Sequence, residues 1–218
     1  MKLKKQGYKL KPNKLMVVVA IFVAGFLSYP LIIENTSLSP VPEASIAVVP
    51  ESMDVCFTPG QSCLPKVIKY IDNAKASILL LGYSFTSKPI TQALIQAKKR
   101  GVKVRIILDH SQQYQKYSKE VIQILFNNHM DMKFDHSVKI AHNKVLVIDS
   151  LQTVTGSYNW THSAEFKNAE NLVFIKSQEV AKKYATYFEG RWKVSKPISS
   201  QKTLGKLKRS DHIMKRIK

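Results

Sequence analysis

The sequence predicts an α/β domain built on a mixed sheet with helices on both faces. Short apolar runs of strand length alternate with segments in which apolar residues recur at helical spacing. The composition, with 44% hydrophobic and 22% charged residues, is typical of a globular chain and excludes a disordered or fibrous one. A length of 218 residues accommodates one domain of ordinary size together with terminal appendages.

The elements follow from local spacing in chain order. Apolar residues that recur every three or four positions behind Pro65 predict a helix over 64–74. The apolar run over 77–83 predicts a strand buried on both faces. A second helix contains Ala93 and Leu94 and stops at Gly101. The remaining predicted elements are strands over 102–108, 131–134, 144–148, 154–156 and 171–175, and helices around 121–126 and over 178–191.

The first 33 residues predict export across a membrane. Residues 1–14 carry six lysines and no acidic residue, and residues 15–33 are uncharged and largely apolar. About 19 helical residues approach the thickness of the hydrocarbon core of a bilayer. We therefore expect a basic cytoplasmic n-region followed by a transmembrane signal anchor or a cleaved signal peptide, with a buried core helix as the alternative. The expected location is the inner membrane with the following domain in the periplasm, or full export.

The net charge of +19 is concentrated at the two ends of the chain. Residues 191–218 carry ten Lys or Arg and one Asp, which together with the lysines of residues 1–14 leaves +4 for residues 15–190. This distribution excludes a protein whose whole body coats nucleic acid. The C-terminal cluster either contacts a polyanion or only solubilises the chain end. The segments that follow the apolar stretch are a linker over 34–52, a domain over 53–193 and a basic tail over 194–218.

Cys56 and Cys63 are the only cysteines, and Pro59-Gly60 between them predicts a turn that could bring them together. In an oxidising exported compartment they form a possible disulfide. The alternative is two small buried apolar residues. Two cysteines without a histidine cluster do not make a zinc site.

The residues suited to chemistry concentrate between positions 140 and 174. His142 and Lys144 are two apart at a strand start, so we expect both side chains on one side. Asp149 follows at the far end of that strand, and Ser157, Asn159 and Glu170 lie at the ends of later strands. Imidazole, ammonium, amide and hydroxyl groups suit an anionic tetrahedral substrate. Because no carboxylate cluster could hold Mg²⁺, we expect no metal and no cofactor.

This pattern resembles the phospholipase D superfamily, whose signature is H-x-K, four residues and Asp, followed by G-S-x-N. His142-Asn143-Lys144 with Asp149, and Gly156-Ser157-Tyr158-Asn159, reproduce both motifs. The resemblance is nearest to the small bacterial endonuclease branch with a single motif, and it covers about residues 53–193. It implies a phospholipase D-like fold and a metal-independent phosphodiesterase that acts through a phosphohistidine.

The resemblance also implies individual roles. His142 would attack phosphorus, while Lys144, Asn159 and Ser157 would bind the phosphate oxygens. Glu170 would orient the His142 ring. Asp149 is the fourth residue of the catalytic set, although in this family it is mostly structural.

Two partners follow from the resemblance. Family enzymes use two such histidines, whereas only His142 here has a lysine two residues on, so a homodimer sharing one active site is expected. The expected substrate is DNA or RNA, cleaved internally. The alternatives are a phospholipase D that hydrolyses membrane phospholipids, and a non-catalytic scaffold that binds phosphate or nucleic acid.

Overall fold

The computed structural model describes residues 49–198. The predicted segments 1–14 and 15–33, nearly all of the linker, and the tail from residue 199 onward lie outside the described residues. Among the helices of residues 49–198, none has the length and apolar character needed to cross a membrane.

The described range forms eight strands, five α-helices and one 3₁₀ helix. In chain order they are β1 (Ser52–Thr58), α1 (Cys63–Asn73), β2 (Ser77–Gly82), α2 (Lys88–Lys99), β3 (Lys103–Asp109), the 3₁₀ helix (His110–Tyr114), α3 (Lys116–Asn127), β4 (Asp131–Asp135), β5 (Lys144–Ile148), β6 (Gln152–Gly156), α4 (His162–Phe166), β7 (Glu170–Lys176), α5 (Gln178–Val194) and β8 (Lys196–Pro197).

All eight strands form one mixed sheet in the order β1-β7-β6-β5-β2-β3-β4-β8. β2, β3 and β4 run parallel to one another, while every other neighbouring pair is antiparallel. The helices α2 and α3 supply the crossovers that parallel strands require. The predicted mixed sheet with helices on both faces is therefore confirmed.

Each face of the sheet has its own hydrophobic core. Alternate strand residues such as Leu80, Ile106 and Leu146 pack with apolar residues of α1, α2 and α3. The strand residues at the intervening positions, including Leu81 and Val145, face the other side of the sheet and pack against Ala181 and Phe188 of α5. Within residues 49–198, one face thus carries three long helices, whereas the other face carries α5.

The strand directions bring several chain segments to one end of the sheet, which we call the site end. The C-terminal ends of β1, β2, β3, β4 and β6 meet there with the N-terminal ends of β5 and β7. Register pairs Lys144 with Gly82, and Gly156 with Leu172. Residues far apart in sequence therefore converge in the loops beyond this end.

Four elements were not predicted, and the 3₁₀ helix (His110–Tyr114) is one of them. β1 occupies a stretch in which the cysteine turn masked the strand pattern, and it pairs with β7 through a seven-residue register. α4 is a single five-residue helix capped by the Thr161 hydroxyl, too short for periodicity to reveal. β8 pairs with β4 through Lys196 and Pro197, just past the predicted domain end at 193.

Candidate active site

His142 and Lys144 meet at the start of β5. The Lys144 Nζ lies 2.8 Å from Nδ1 of the His142 ring and 3.0 Å from the His142 carbonyl oxygen. Lys144 is only 5% exposed, whereas the His142 ring is exposed to solvent. Burial lowers the pKa of Lys144, and the Glu170 carboxylate opposes this shift only in part. A buried ammonium beside an accessible imidazole is suited to hold an anion against that ring.

Tyr83 supports this pair from the end of β2. Its ring centroid lies 4.4 Å from that of His142, and the Lys144 Nζ lies 5.3 Å above the Tyr83 ring. The aromatic face therefore positions both functional groups. In sequence, Tyr83 only completes an apolar run, so nothing singled it out.

Asp109 fixes the chain just before His142. Its buried Oδ2 accepts a 2.7 Å hydrogen bond from the Ala141 N–H. Burial raises the pKa of Asp109, but hydrogen bonds from Ser111 and Ala141 outweigh it, so this pKa lies below its ordinary value. The ionised carboxylate is thus a structural tie for the loop that carries His142. This role could not be predicted from the sequence, because an Asp at the end of a buried strand is a common pattern.

Ser157 and Glu170 are joined at the neighbouring strand ends. The Ser157 hydroxyl donates to Glu170 Oε2 at 2.5 Å and accepts from the Asn171 N–H at 3.1 Å. Asn168 donates to the other Glu170 oxygen at 2.9 Å. No hydrogen bond joins Glu170 to the His142 ring; its two carboxylate oxygens accept from Ser157, just after β6, and from Asn168, just before β7. Glu170 instead lies close enough for its charge to act on Lys144.

The Gly156-to-Asn159 turn carries the second motif. A Cβ on Gly156 would overlap the carbonyl of Asn171, so glycine is required for this approach. Asn159 has a buried side-chain Oδ1 with no hydrogen-bond partner within residues 49–198. Because amide oxygen and nitrogen are assigned from their partners, either atom of this group can face a ligand. An unsatisfied buried amide beside the site is a group that a phosphate oxygen could pair with.

Glu165 of α4 holds this turn in place through hydrogen bonds. Its Oε2 accepts from the Tyr158 hydroxyl at 3.0 Å and from the Leu64 N–H at 2.9 Å. Burial and the adjacent carboxylate raise the pKa of Tyr158, which therefore stays a hydrogen-bond donor. Sequence analysis missed Glu165, because a single acidic residue on a polar loop carries no distinguishing pattern.

Asp149 lies away from the site end. It follows the opposite end of β5, five residues after Lys144, which corresponds to about 16 Å along a strand. Its carboxylate accepts the N–H groups of Lys75, Ala76 and Ser77 at 2.7 to 2.9 Å. These contacts fit the mostly structural role that the resemblance implies for Asp149, and its place in the catalytic set stays a prediction.

Cys56 and Cys63 are joined by a disulfide with a Cα–Cα distance of 5.8 Å. It links the end of β1 to the start of α1, where Leu64 binds Glu165. Within residues 49–198, no group of three or more His, Cys, Asp or Glu side chains could hold a metal ion. The side chains at this end of the sheet include a lysine, an amide, a hydroxyl and an imidazole, which are groups suited to bind an anion.

Comparison with known proteins places this geometry in a family. The family described as "Cardiolipin synthase, PLD-like domain" matches residues 67–192. A phospholipase D of Rickettsia prowazekii (strain Madrid E) is 36% identical over 191 residues, which cover 81% of this chain and 92% of that protein. A phospholipase D of Rickettsia conorii is 43% identical over 132 residues, which cover 61% of this chain and 65% of that protein.

A solved structure has the same fold. The phospholipase D family member Nuc from Salmonella typhimurium superposes with a TM-score of 0.66 at 35% sequence identity. The match covers 68% of this chain and 99% of Nuc. The fold described above is therefore shared with a solved member of the phospholipase D family.

Proposed function

The chain belongs to the phospholipase D superfamily of phosphodiester hydrolases, and we propose that it is an endonuclease that uses His142 as a covalent nucleophile. The observation that carries this proposal is the contact between the buried Lys144 ammonium and the exposed His142 ring. The ammonium supplies the positive charge that a phosphodiester needs, and the ring supplies the nucleophile beside it.

The reaction has two steps. A ring nitrogen of His142 attacks phosphorus, so that a P–N bond forms while the P–O bond to the leaving alcohol breaks. The leaving oxygen takes a proton from an acid. Water then attacks phosphorus, the P–N bond breaks, and the phosphomonoester is released with His142 restored. Lys144 stabilises the equatorial oxygens in both steps, assisted by Ser157 and Asn159.

A second copy of the chain would supply the acid. A proton donor for the leaving oxygen is typically worth about 10²–10⁴ in rate. Within one chain, only His142 is paired with a lysine two residues on. A two-fold axis beside the site end would bring the partner copy's equivalent histidine across the phosphate without any further sequence.

An apolar strip beside the site supports this assembly. Met53, Val55 and Phe57 alternate on one face of β1 and are 64%, 38% and 55% exposed. Register places them opposite residues of β7, with Val55 beside Val173, on the face that α5 covers only in part. An exposed apolar strip on an edge strand is a surface that association would bury.

Nucleic acid is the proposed substrate because aromatic and basic side chains alternate at the site end. Tyr114 and Tyr117 are 71% and 70% exposed, at the end of the 3₁₀ helix that follows β3 and at the start of α3, and Lys116 lies between them. Exposed aromatic rings on which bases stack, together with lysines that contact the phosphate backbone, are typical of proteins that bind single-stranded nucleic acid. The basic tail over 194–218 would add sequence-independent attraction.

A phospholipase D activity is the second candidate. It is favoured by the Rickettsia relatives, which carry that name, one of them over 92% of its length. The proposed signal anchor over 15–33 would hold the domain beside lipid headgroups, in the periplasm or outside the cell. Anionic headgroups attract basic segments as nucleic acid does.

Side-by-side assays separate these substrates. The full chain and its His142→Asn variant should be incubated with single-stranded DNA, with RNA and with vesicles of anionic phospholipid. We expect internal cleavage of nucleic acid by the wild type alone. Faster turnover of lipid would replace the nuclease proposal with the phospholipase one. Binding without turnover on all three substrates would leave a phosphate-binding scaffold and contradict the proposed chemistry.

Subunit mixing tests the shared site. Wild-type chains mixed with an excess of His142→Asn chains should form heterodimers that have lost most of their activity. Sedimentation of the wild type should show a dimer, and specific activity should fall on dilution through its dissociation constant. Heterodimers that keep half of the wild-type rate would mean that each copy works alone.

A further inference from the structure

The tripeptide Asp-His-Ser occurs twice, and the fold places both copies side by side. The first copy, residues 109–111, follows β3, and the second, residues 135–137, follows β4. These two strands are parallel neighbours, and their register pairs Asp109 with Asp135. Both tripeptides therefore begin at the same level of the sheet, at its site end.

The two copies also adopt the same turn. Asp109 Oδ1 accepts the Ser111 N–H at 2.9 Å, and Asp135 Oδ1 accepts the Ser137 N–H at 2.9 Å. In each copy the serine hydroxyl bonds to the same carboxylate oxygen. Because each aspartate holds its own turn, the histidine between Asp and Ser is presented in the same way twice. The rings of His110 and His136 lie 5.0 Å apart at an interplanar angle of 33°.

The carboxylates of Asp109 and Asp135 do not form hydrogen bonds with the rings of His110 and His136. The second oxygen of Asp109 accepts from the Ala141 N–H, and that of Asp135 accepts from the Arg191 guanidinium. Both aspartates are only 1% exposed. His110 Nδ1 lies 3.9 Å from the Asp109 carboxylate, too far for a hydrogen bond, and it has no partner within the described range. His110 Nδ1 is itself buried, but the His110 side chain is 33% exposed and His136 is exposed, so the other ring nitrogens of this pair, His110 and His136, can meet another ligand.

Lys196 and Arg191 supply positive charge near the pair and offset the carboxylates of Asp109 and Asp135. Lys196 of β8 lies beside the end of β4, where its register partner is Phe134. Burial, followed by the charges of His110 and Lys196, lowers the pKa of His136. An anion bound beside the rings would favour the charged form of His136. Phosphate oxygens accept the ring N–H groups in either charge state.

The pair lies next to the reaction centre. Lys144 on β5 and Asp109 on β3 are separated by one strand, β2, so their backbones lie about 10 Å apart, two strand spacings. Asp109 also binds the N–H of Ala141, the residue before His142. A molecule held at His142 and Lys144 would reach His110 and His136 only if it carried a second phosphate further along its length.

We propose that His110 and His136 form a second phosphate subsite, which holds a phosphate that flanks the scissile one on a nucleic-acid strand. This inference rests on the proposed nuclease function and extends it, since a strand has regularly spaced phosphates whereas most phospholipids carry one. The subsite binds and aligns the strand, and takes no part in bond breaking.

A double variant of the full chain, His110→Asn with His136→Asn, tests the subsite. Its substrates are a single-stranded oligonucleotide of several residues and a dinucleoside monophosphate, which has one phosphodiester only. Loss of two hydrogen bonds to a charged group should raise the KM for the oligonucleotide about tenfold, with little change in kcat. The KM for the dinucleoside monophosphate should change by less than about twofold, because that substrate cannot span both sites. His129→Asn is the matched control, since His129 is exposed at the opposite end of the sheet with a positive φ that asparagine tolerates.

The His136→Asn single variant alters only an exposed ring and should give the same selective effect at smaller size. An oligonucleotide KM that matches the wild type, while the wild type cleaves the oligonucleotide, would overturn the subsite and leave the proposed function standing. An equal KM rise on both substrates would overturn it too, because the pair would then act at the scissile phosphate. A loss of activity on cardiolipin vesicles, with unchanged kinetics on the oligonucleotide, would mean that the pair binds a lipid instead. No cleavage of any diester by the wild type would refute the proposed function itself.

Discussion

The two ends of β5 carry the two parts of one sequence motif but have opposite characters. At the N-terminal end, Lys144 is buried beside an exposed His142 ring, and Asn159 nearby has an unsatisfied amide oxygen. At the C-terminal end, Asp149 accepts three backbone N–H groups. One end keeps polar groups available for a ligand, whereas the other end satisfies them within the chain.

This difference separates reaction chemistry from folding. Lys144 and the four residues that separate it from Asp149 make up the five-residue strand β5, so the fixed spacing matches the length of that strand. The spacing within the motif therefore reflects the length of β5 as well as the requirements of catalysis. Substitutions at the two ends should affect different measurements.

The largest effect is expected for His142→Asn. Removing a covalent nucleophile should lower kcat by about 10⁴-fold or more. Because the ring is exposed, thermal unfolding should be nearly unchanged. Steady-state hydrolysis and calorimetry on the same preparation check both parts, with His129→Asn as the control. Residual turnover within about tenfold of the wild type would place the nucleophile elsewhere.

Lys144→Met should have the next largest effect. Methionine fills the buried space but removes the charge, so we expect a loss of about 10²–10³ in kcat/KM. The burial-lowered pKa of Lys144 means that activity should fall with rising pH earlier than an ordinary lysine would cause. A pH–rate profile of the wild type checks the direction. A fall in unfolding free energy without any loss in kcat/KM would make Lys144 a structural residue.

Asp149→Ala should act on stability instead. Leaving three N–H groups without their acceptor should lower the free energy of unfolding by about 1–3 kcal/mol. The rate per folded molecule should stay within about twofold of the wild type, because Asp149 is about 16 Å from Lys144 along the strand. Chemical denaturation combined with active-site titration separates the two quantities. A large loss in kcat with unchanged stability would reverse the assignment.

The same residue predicts a pH dependence. Burial raises the pKa of Asp149, but the backbone hydrogen bonds from Ser77, Lys75 and Ala76 outweigh it, so the folded-state pKa lies below the unfolded value. Its contribution to stability is therefore present above the unfolded pKa and is lost as the pH falls through the folded pKa. The unfolding free energies of wild type and Asp149→Ala should converge in acid. A constant difference down to the lowest pH at which both fold would refute this linkage.

The smallest effect is expected from chelation. The positive charge beside the His142 ring comes from Lys144, which EDTA does not remove. Hydrolysis should therefore continue in excess EDTA at nearly the untreated rate. Activity that is lost on chelation and restored by Mg²⁺ would contradict the histidine mechanism.

The sequence predicted the sheet and the site motifs because periodicity and fixed spacing are local signals. Strands buried on both faces, such as β2, were evident from continuous apolar runs. The supporting residues were not predictable, since Tyr83, Asp109 and Glu165 act through partners 32 to 101 positions away or through ring stacking. The orientation of Glu170 was also missed, because the competing hydrogen bond from Ser157 depends on how two loops meet.

Detection of a covalent adduct at His142 tests the central claim most directly. The full chain should be mixed with single-stranded DNA, quenched under alkaline conditions that preserve a P–N bond, digested and examined by mass spectrometry. The account predicts a phosphoryl-nucleotide adduct on the peptide that contains His142, absent from the His142→Asn variant. An adduct on another residue, or rapid cleavage without any adduct at the shortest quench times, would contradict it.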